Sequence, residues 1–519
     1  MTLRKRLLTI LILLLVTGGA FTIGLAGFTV VRTQEDEAAE EIPTLFGHRE
    51  TLYLWYTDEA LTDYLSSVAV SYNDYQDEVR VIPVHTSGLE YLETINQASL
   101  LGEEVPDLYI VGNDSLEKSY LAGLASQVAL PEGVASMEVL PMTEYFPETA
   151  LLASTYLEKQ IAYPLYFETS SFLYNKTYLE DWAKSQLEAE ADAAAGEAAQ
   201  EAVDNGDIPE EDDGDTKAVD QTEEEFVIDD KMLAAKIEEA LPKKIEDILA
   251  FAEEYDAPEQ VESIFKWDVS DIFYNYFFVG NYIDVGGAAG DDKESINIYN
   301  ADAIRCMRVY QDLNQFFSID TKEISYDSVL QDFIDGKIVY TVATSDALAR
   351  IEEAKENGEF EYEYETSVLP DVSNELASKS LSVTQCVVVN GYSTHKDMAN
   401  EFAVYLTCLN TGDLYNRTGK LPARKDAVEE ANINAKAFLQ EYEKSVPIPK
   451  MIETSNYWIE MEIAFARIWD GEDENLTLKA LSEQIMAQIE GGSYTEEYIS
   501  VPEEVIFEEL EEGEMSGEE

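Results

Sequence analysis

The chain has 519 residues, 45% of them hydrophobic and 11% aromatic, enough to bury the core of two ordinary domains or of one large bilobed unit. Against 34 Lys and Arg stand 105 Asp and Glu, a formal charge of -71 that repels nucleic acid and anionic lipid and favours neutral or cationic partners. The ordinary consequence of so much acid is a solvated surface.

Arg4, Lys5 and Arg6 precede an apolar run from Leu7 to Val31, closed by Arg32. A positive flank before such a run directs the remainder across the cytoplasmic membrane. Its length approaches the roughly 20 residues that span a bilayer, so residues 1–34 are expected to form a signal anchor, with cleavage after Ala26 as the alternative. Cys306, Cys386 and Cys408 all lie far downstream, so none can carry an N-terminal lipid, and an odd, scattered set reads as buried free thiols.

After an acidic spacer, TLYLWY from Thr51 has strand character, and Leu61, Leu65, Val68 and Ala69 then recur at helical spacing. The strand VRVIPV, a helix over Leu89–Leu101 and the strand PDLYIV follow. Strands alternating with helices imply parallel pairing in an α/β lobe. Residues 185–225 are rich in Ala, Glu and Asp and have no aromatic residue, which predicts disorder or a frayed, solvated helix. Their cluster Glu210, Glu211, Asp212, Asp213 and Asp215 lacks the spacing of a calcium loop.

Beyond this insertion Ile245–Tyr255 reads as an amphipathic helix, and Cys306, Val309, Leu313 and Phe316 fall on one face of a helix over Ala301–Phe317. DGKIVYTVATS, SVLPDV and CVVVNG read as strands with turns, and Asp397–Leu409 as a helix. The residues after about 490 form an acidic, mobile tail. The three histidines are scattered, without HExxH spacing, and no GxSxG elbow or phosphate loop is present, so no metal, cofactor or catalytic group is expected. Paired acids also serve glycosidases, but among 105 acids some pair always arises, so the pairs decide nothing.

Five segments, in order, resemble the extracellular solute-binding proteins of bacterial ABC importers, in the sugar-binding group of maltose-binding proteins. They are PDLYIVGNDSLEKSYLAGLASQ, IAYPLYFETSSFLYNKTYL, FIDGKIVYTVATS, LTCLNTGDLYNRTGKLPARKDAV and the C-terminal stretch around SNYWIEMEIAFARIW. The resemblance implies an α/β, two-lobed periplasmic-binding-protein-like fold with a ligand cleft between the lobes, preceded by the N-terminal transmembrane or signal helix. It implies one lobe from residues 47–165 and 386–430, and a second from 166–385 and 431–490. Trp458 sits at one aromatic position of the sugar binders, whereas Val111 and Asp346 occupy two others.

Glu168, in an otherwise apolar strand, must face a partner or a wet cleft, because desolvating a lone carboxylate costs several kcal/mol. It serves ligand hydroxyls as an acceptor, or it is bonded to a nearby Lys or Tyr. Asp58 and Glu59, at the end of the first strand, point into the crevice or cap the next helix. Asn113 and Asp114 repeat that arrangement, and Tyr166 shares the face of Glu168. From the second lobe come Trp267 as a stacking surface with Asp268 and Asp271 as acceptors, then Trp458 or Tyr457. The implied function is capture of a carbohydrate by a monomeric, membrane-tethered, extracytoplasmic subunit that serves ABC permease subunits. The alternative is a tethered ligand sensor or scaffold of the same fold.

Overall fold

The computed structural model describes residues 49–102, 105–204, 228–317 and 319–502. The expected N-terminal anchor, the acids at 210–215 and the last seventeen residues lie outside them. Among the described residues no helix is long and apolar enough to cross a membrane.

In β1 (Glu50–Tyr56) alternation buries Leu52, Leu54 and Tyr56 and turns Tyr53 outward. Helix α1 (Thr62–Tyr75), with Tyr64, Leu65, Val68 and Tyr72 buried, returns the chain to β2 (Val79–His85), parallel to β1. Helix α2 (Tyr91–Leu101) leads to β3 (Leu108–Gly112), which pairs parallel with the other side of β1. These crossovers are what parallel pairing requires.

The 13-residue β4 (Tyr163–Asn175) then divides the molecule. Along Tyr163–Thr169 it pairs antiparallel with β8 (Leu381–Val389), the neighbour of β3. Along Ser170–Asn175 it pairs instead with β6 (Ile338–Thr344) and β7 (Tyr364–Ser367). The full order is β2–β1–β3–β8–β4–β6–β5, where β5 (Ser263–Phe265) is parallel to β6. One half of β4 thus belongs to each lobe, and the fold is the expected two-lobed α/β architecture. Pairing is mixed rather than purely parallel, because β8 brings the chain back between β3 and β4 and runs against both.

Two large apolar clusters flank β4, with Phe167 in the first and Phe172 in the second, and the first extends past the crossing to Leu173, Ile338 and Ala343. Between them β4 carries Thr169, Ser170 and Ser171, all fully buried. Thr169 Oγ1 donates to the Leu381 carbonyl at 2.7 Å and Ser171 Oγ to the Ser367 carbonyl at 2.7 Å. Small hydroxyl residues that bond to the adjacent backbone leave little side-chain packing to resist bending at the crossing.

Three expectations change, and the described start of the insertion takes the helical one of its two readings. Helix α7 (Ala301–Asp312) breaks at Leu313, so Cys306, Val309 and Leu313 are buried while Phe316 is exposed on the short turn that follows. Strand β7 ends at Ser367, and the SVLPDV segment beyond it is irregular. The insertion begins as the continuation of α4 (Lys176–Asp204), which packs on α5 (Asp230–Ala240), with Lys236 Nζ 2.6 Å from Glu190 Oε1. The tail is not free as far as Pro502. Asn475 donates to the Ile499 carbonyl at 2.8 Å, the Ile499 amide to Tyr299 Oη at 3.0 Å, and Arg308 to the Pro502 carbonyl at 2.6 Å.

Candidate functional site at the lobe crossing

The carboxyl end of β1 and the middle of β4 meet on the loop between α11 (Leu414–Thr418) and β9 (Leu421–Pro422), which pairs with β4 at Tyr166 and Phe167. That register sets Lys420 beside Glu168. Lys420 Nζ is 3.0 Å from Glu168 Oε1, 3.7 Å from Asp58 Oδ2 and 5.6 Å from the centre of the Tyr166 ring. Tyr166 Oη donates to Asp58 Oδ2 at 3.2 Å, and the other Asp58 oxygen caps the turn at Ala60, 3.0 Å away. Asp58 therefore takes the capping role and also belongs to the polar cluster around Lys420.

Burial alone lowers the Lys420 pKa, but the Glu168, Asp58 and Asp346 carboxylates hold it above the ordinary value. Burial and then the charges of Asp58 and Glu168 push the Tyr166 phenol well up, so it stays a hydrogen-bond donor. The Glu168 side chain keeps 36% of its surface exposed, so its remaining lone pairs are open to a ligand.

On the second lobe Asp346 follows β6 and accepts from Tyr326 Oη at 3.0 Å and from the Thr344 hydroxyl. Thr344 pairs with Ser170 of β4, two residues from Glu168, which places Asp346 near the same crossing. The Tyr274 and Tyr326 rings stack with centroids 4.7 Å apart and 18° between planes, and Arg350 lies 5.4 Å from the Tyr326 ring. Trp458, at the start of α13 (Tyr457–Trp469), is half-buried with its ring edge on Tyr276, while Tyr457 is fully buried.

Several candidate residues have other occupations. Trp267 is fully buried, stacked on Phe265 at 4.4 Å, edge-on to Trp469 at 5.4 Å, and donates its indole N–H to Asn275 at 2.8 Å. It is a core residue with neither face open to a ligand. Asp268 is buried and its Oδ1 holds the turn through Ser270, amide at 2.9 Å and hydroxyl at 2.7 Å. Asn113 is fully buried too, donating to the Ile448 carbonyl at 2.8 Å and accepting from the Thr384 amide at 2.9 Å, which ties β3 to β8. Its amide is consumed by structure. Glu59 and Asp114 are exposed at the ends of β1 and β3. Asp271 caps the turn at Phe273, 2.8 Å away, and burial followed by the Asp268 charge raises its pKa. Lys420, Tyr274 and Tyr326 carried no local signal, because their partners lie far away in sequence.

Residues 189–440 match the family described as bacterial extracellular solute-binding protein. That stretch is similar to the family and makes up just under half of the chain. A curated relative, the maltodextrin-binding protein MdxE of Bacillus subtilis (strain 168), is 24% identical over 202 residues, which cover 37% of this chain and 46% of that protein. The match thus spans less than half of the curated relative. Among solved structures, the chain is similar to an extracellular solute-binding protein from Staphylococcus aureus in complex with maltose. That pair has a TM-score of 0.64 at 18% identity, covering 86% of this chain and 99% of that one. The maltose-binding periplasmic protein MalE from Listeria monocytogenes, also with maltose, gives 0.61 at 19% identity, with 86% and 100% covered. A cyclo/maltodextrin-binding protein holding maltotetraose gives 0.61 at 16% identity, with 86% and 98% covered.

Proposed function

We propose that the protein captures an oligosaccharide between its lobes and delivers it to the permease of an ABC importer, tethered as a monomer outside the cell membrane by its N-terminal segment. The arrangement that carries this reading is the Lys420–Glu168–Asp58 cluster on the crossing strand, linked to the Tyr274–Tyr326 stack through Asp346, which accepts from Tyr326 and acts on the Lys420 charge. Carboxylates accept from sugar hydroxyls, an ammonium donates to them, and flat rings cover the apolar faces of a pyranose. Ligand that touches both lobes binds the closed form better than the open one and shifts the population toward it. The permease then reads the closed form. The cluster acts by binding, with no bond of the sugar made or broken, and the solved relatives that hold maltose and maltotetraose fit such a ligand.

Thermal unfolding of the protein with maltose, maltotetraose and unrelated amino acids tests this. A ligand at 100 times its dissociation constant adds about 2.7 kcal/mol to the folded state. A midpoint rise with the sugars that Glu168→Ala abolishes is expected. No rise with any oligosaccharide rejects the reading.

A further inference from the structure

One face of β8 leaves the first core as the strand nears the crossing. Val389 and Val387 on that face are buried, and Gln385 and Val383 continue it, because alternate residues of a strand share a side. Gln385 and Val383 are only half-buried, so the face opens there. The side-chain amide of Gln385 makes no hydrogen bond with any of the described residues. It stands in the middle of a sheet with its donor and acceptor unused.

Register fixes the neighbours of this amide. Gln385 lies opposite Gly112 of β3 and opposite Tyr166 of β4, and Val383 lies opposite Glu168. Residues directly opposite in an antiparallel ladder point to the same face, so Gln385 stands one strand away from Tyr166 on the side that carries Glu168. Tyr166 in turn donates to Asp58, and its ring lies 5.6 Å from the Lys420 ammonium. Strand β3 ends at Gly112, at the carboxyl edge where open α/β sheets bind ligands.

Gly112 adds an independent observation. Its backbone, at φ -65° and ψ 152°, suits any residue, so the conformation does not call for glycine. A Cβ there would lie 2.6 Å from Asp114 Oδ1 and 3.5 Å from Gln385 Nε2. The absent side chain thus leaves room for the Asp114 carboxylate beside the Gln385 amide, and no lysine or arginine among the described residues forms an ion pair with Asp114. An ionised carboxylate only accepts and the amide nitrogen only donates, whereas neighbouring hydroxyls of a sugar ring do both. We propose that Gln385 is a sugar-contacting residue: its amide donates to one hydroxyl of a pyranose while Asp114 accepts from the next. The contact extends the site from Glu168 across β8, and it stands only with the sugar-binding reading given above.

Titration calorimetry with maltose and maltotetraose tests this on the native protein, Glu168→Ala, Gln385→Leu and Gly112→Ala, each beside its urea midpoint. Gln385→Leu keeps the bulk of the side chain and should weaken sugar binding about tenfold. Gly112→Ala removes no polar group, but it displaces the Asp114 carboxylate and should weaken binding by a similar factor. The midpoints of both should stay close to the native one, since only flexible side-chain atoms meet the added methyl group. If Glu168→Ala weakens binding and Gln385→Leu does not, the sugar-binding reading stands and the role of Gln385 is overturned. If the native protein binds neither sugar, that reading is overturned and the role of Gln385 with it.

Discussion

Glu168 and Lys420 are 252 residues apart in the chain and 3.0 Å apart in the fold. The pair joins the crossing strand to the loop before β9 and brings the ammonium within 3.7 Å of Asp58 on the first lobe. Replacing Lys420 with Met leaves Glu168 and Asp58 without the cation that balances them, while Asp346 keeps Arg350 at 3.8 Å. Hydrogen bonds to charged groups contribute about 1.5–3 kcal/mol, so oligosaccharide affinity should fall roughly 10- to 100-fold in Lys420→Met. Stability should change by only about 0–1 kcal/mol, because the pair is partly solvated. Calorimetric affinity beside a denaturant midpoint separates the two, and an unchanged affinity would remove Lys420 from the site.

The same lysine sets a pH limit. Its folded pKa lies above the ordinary value, so its contribution is full below about pH 10.4 and is lost as pH rises through the folded value. Sugar affinity should therefore show no loss attributable to Lys420 from pH 7 to 9. Affinity followed in parallel for the native protein and Lys420→Arg checks this, and a Lys420-dependent fall below pH 9 would contradict the assignment.

Trp267 and Trp458 should part company. Trp267 is sealed among Phe265, Phe317 and Trp469, and Trp267→Ala should cost about 3–5 kcal/mol of stability through the cavity left behind. Trp458 is half-buried at the start of α13, and Trp458→Ala should cost under about 2 kcal/mol. Urea unfolding of both variants decides it. Equal losses would place Trp458 in the core as well.

These residues also mark how far sequence alone reaches. The fold was legible because alternation in TLYLWY and PDLYIV and the long run around Glu168 are local signals that burial against a sheet enforces. The lone acid in that run was a sound pointer, since an unpaired buried charge is costly, and of its two readings the pairing is seen: Glu168 is bonded to Lys420, with part of its side chain left exposed. Trp267 misled because an indole beside two acids has the composition of a sugar site and of a core turn alike. Only the closure of Phe265, Phe317 and Trp469 around it distinguishes the two. Asn113 misled for a related reason, its position after β3 being set by a bond to Ile448, 335 residues away. The Tyr274–Tyr326 stack joins segments whose separation leaves no periodic trace.

The acidic composition of the C-terminal segment likewise hid its packing. Ending the chain after Gly492 removes the bonds of Ile499 and Pro502 to Asn475, Tyr299 and Arg308, each worth about 0.5–1.5 kcal/mol. Ending it after Pro502 keeps all three. The shorter form should be less stable than the longer by about 2–4 kcal/mol in urea, and equal midpoints would show that these contacts contribute nothing.

Lys450 gives the sharpest pH test. It is 1% exposed, and its ammonium donates to the Leu152 carbonyl of the first lobe at 2.9 Å and to the Ala289 carbonyl of the second. Close backbone contact accompanies this bridge: a Cβ on Gly290, at φ +70°, would lie 2.9 Å from Pro449 Cα. Burial pushes the Lys450 pKa down to about 8, with Asp291 opposing. The unfolded chain holds this proton up to about pH 10.4, so between about pH 8 and 10.4 it binds more protons than the folded one. Stability attributable to Lys450 must therefore rise with pH across that window, by at most about 3 kcal/mol, and stay flat below it. The rest of the protein titrates there too, so the quantity to follow is the difference in unfolding free energy between the native protein and Lys450→Met. That difference should move in favour of the native protein as pH climbs from 8 to 10. A difference independent of pH would mean that the ammonium is solvated, and that it does not bridge the lobes.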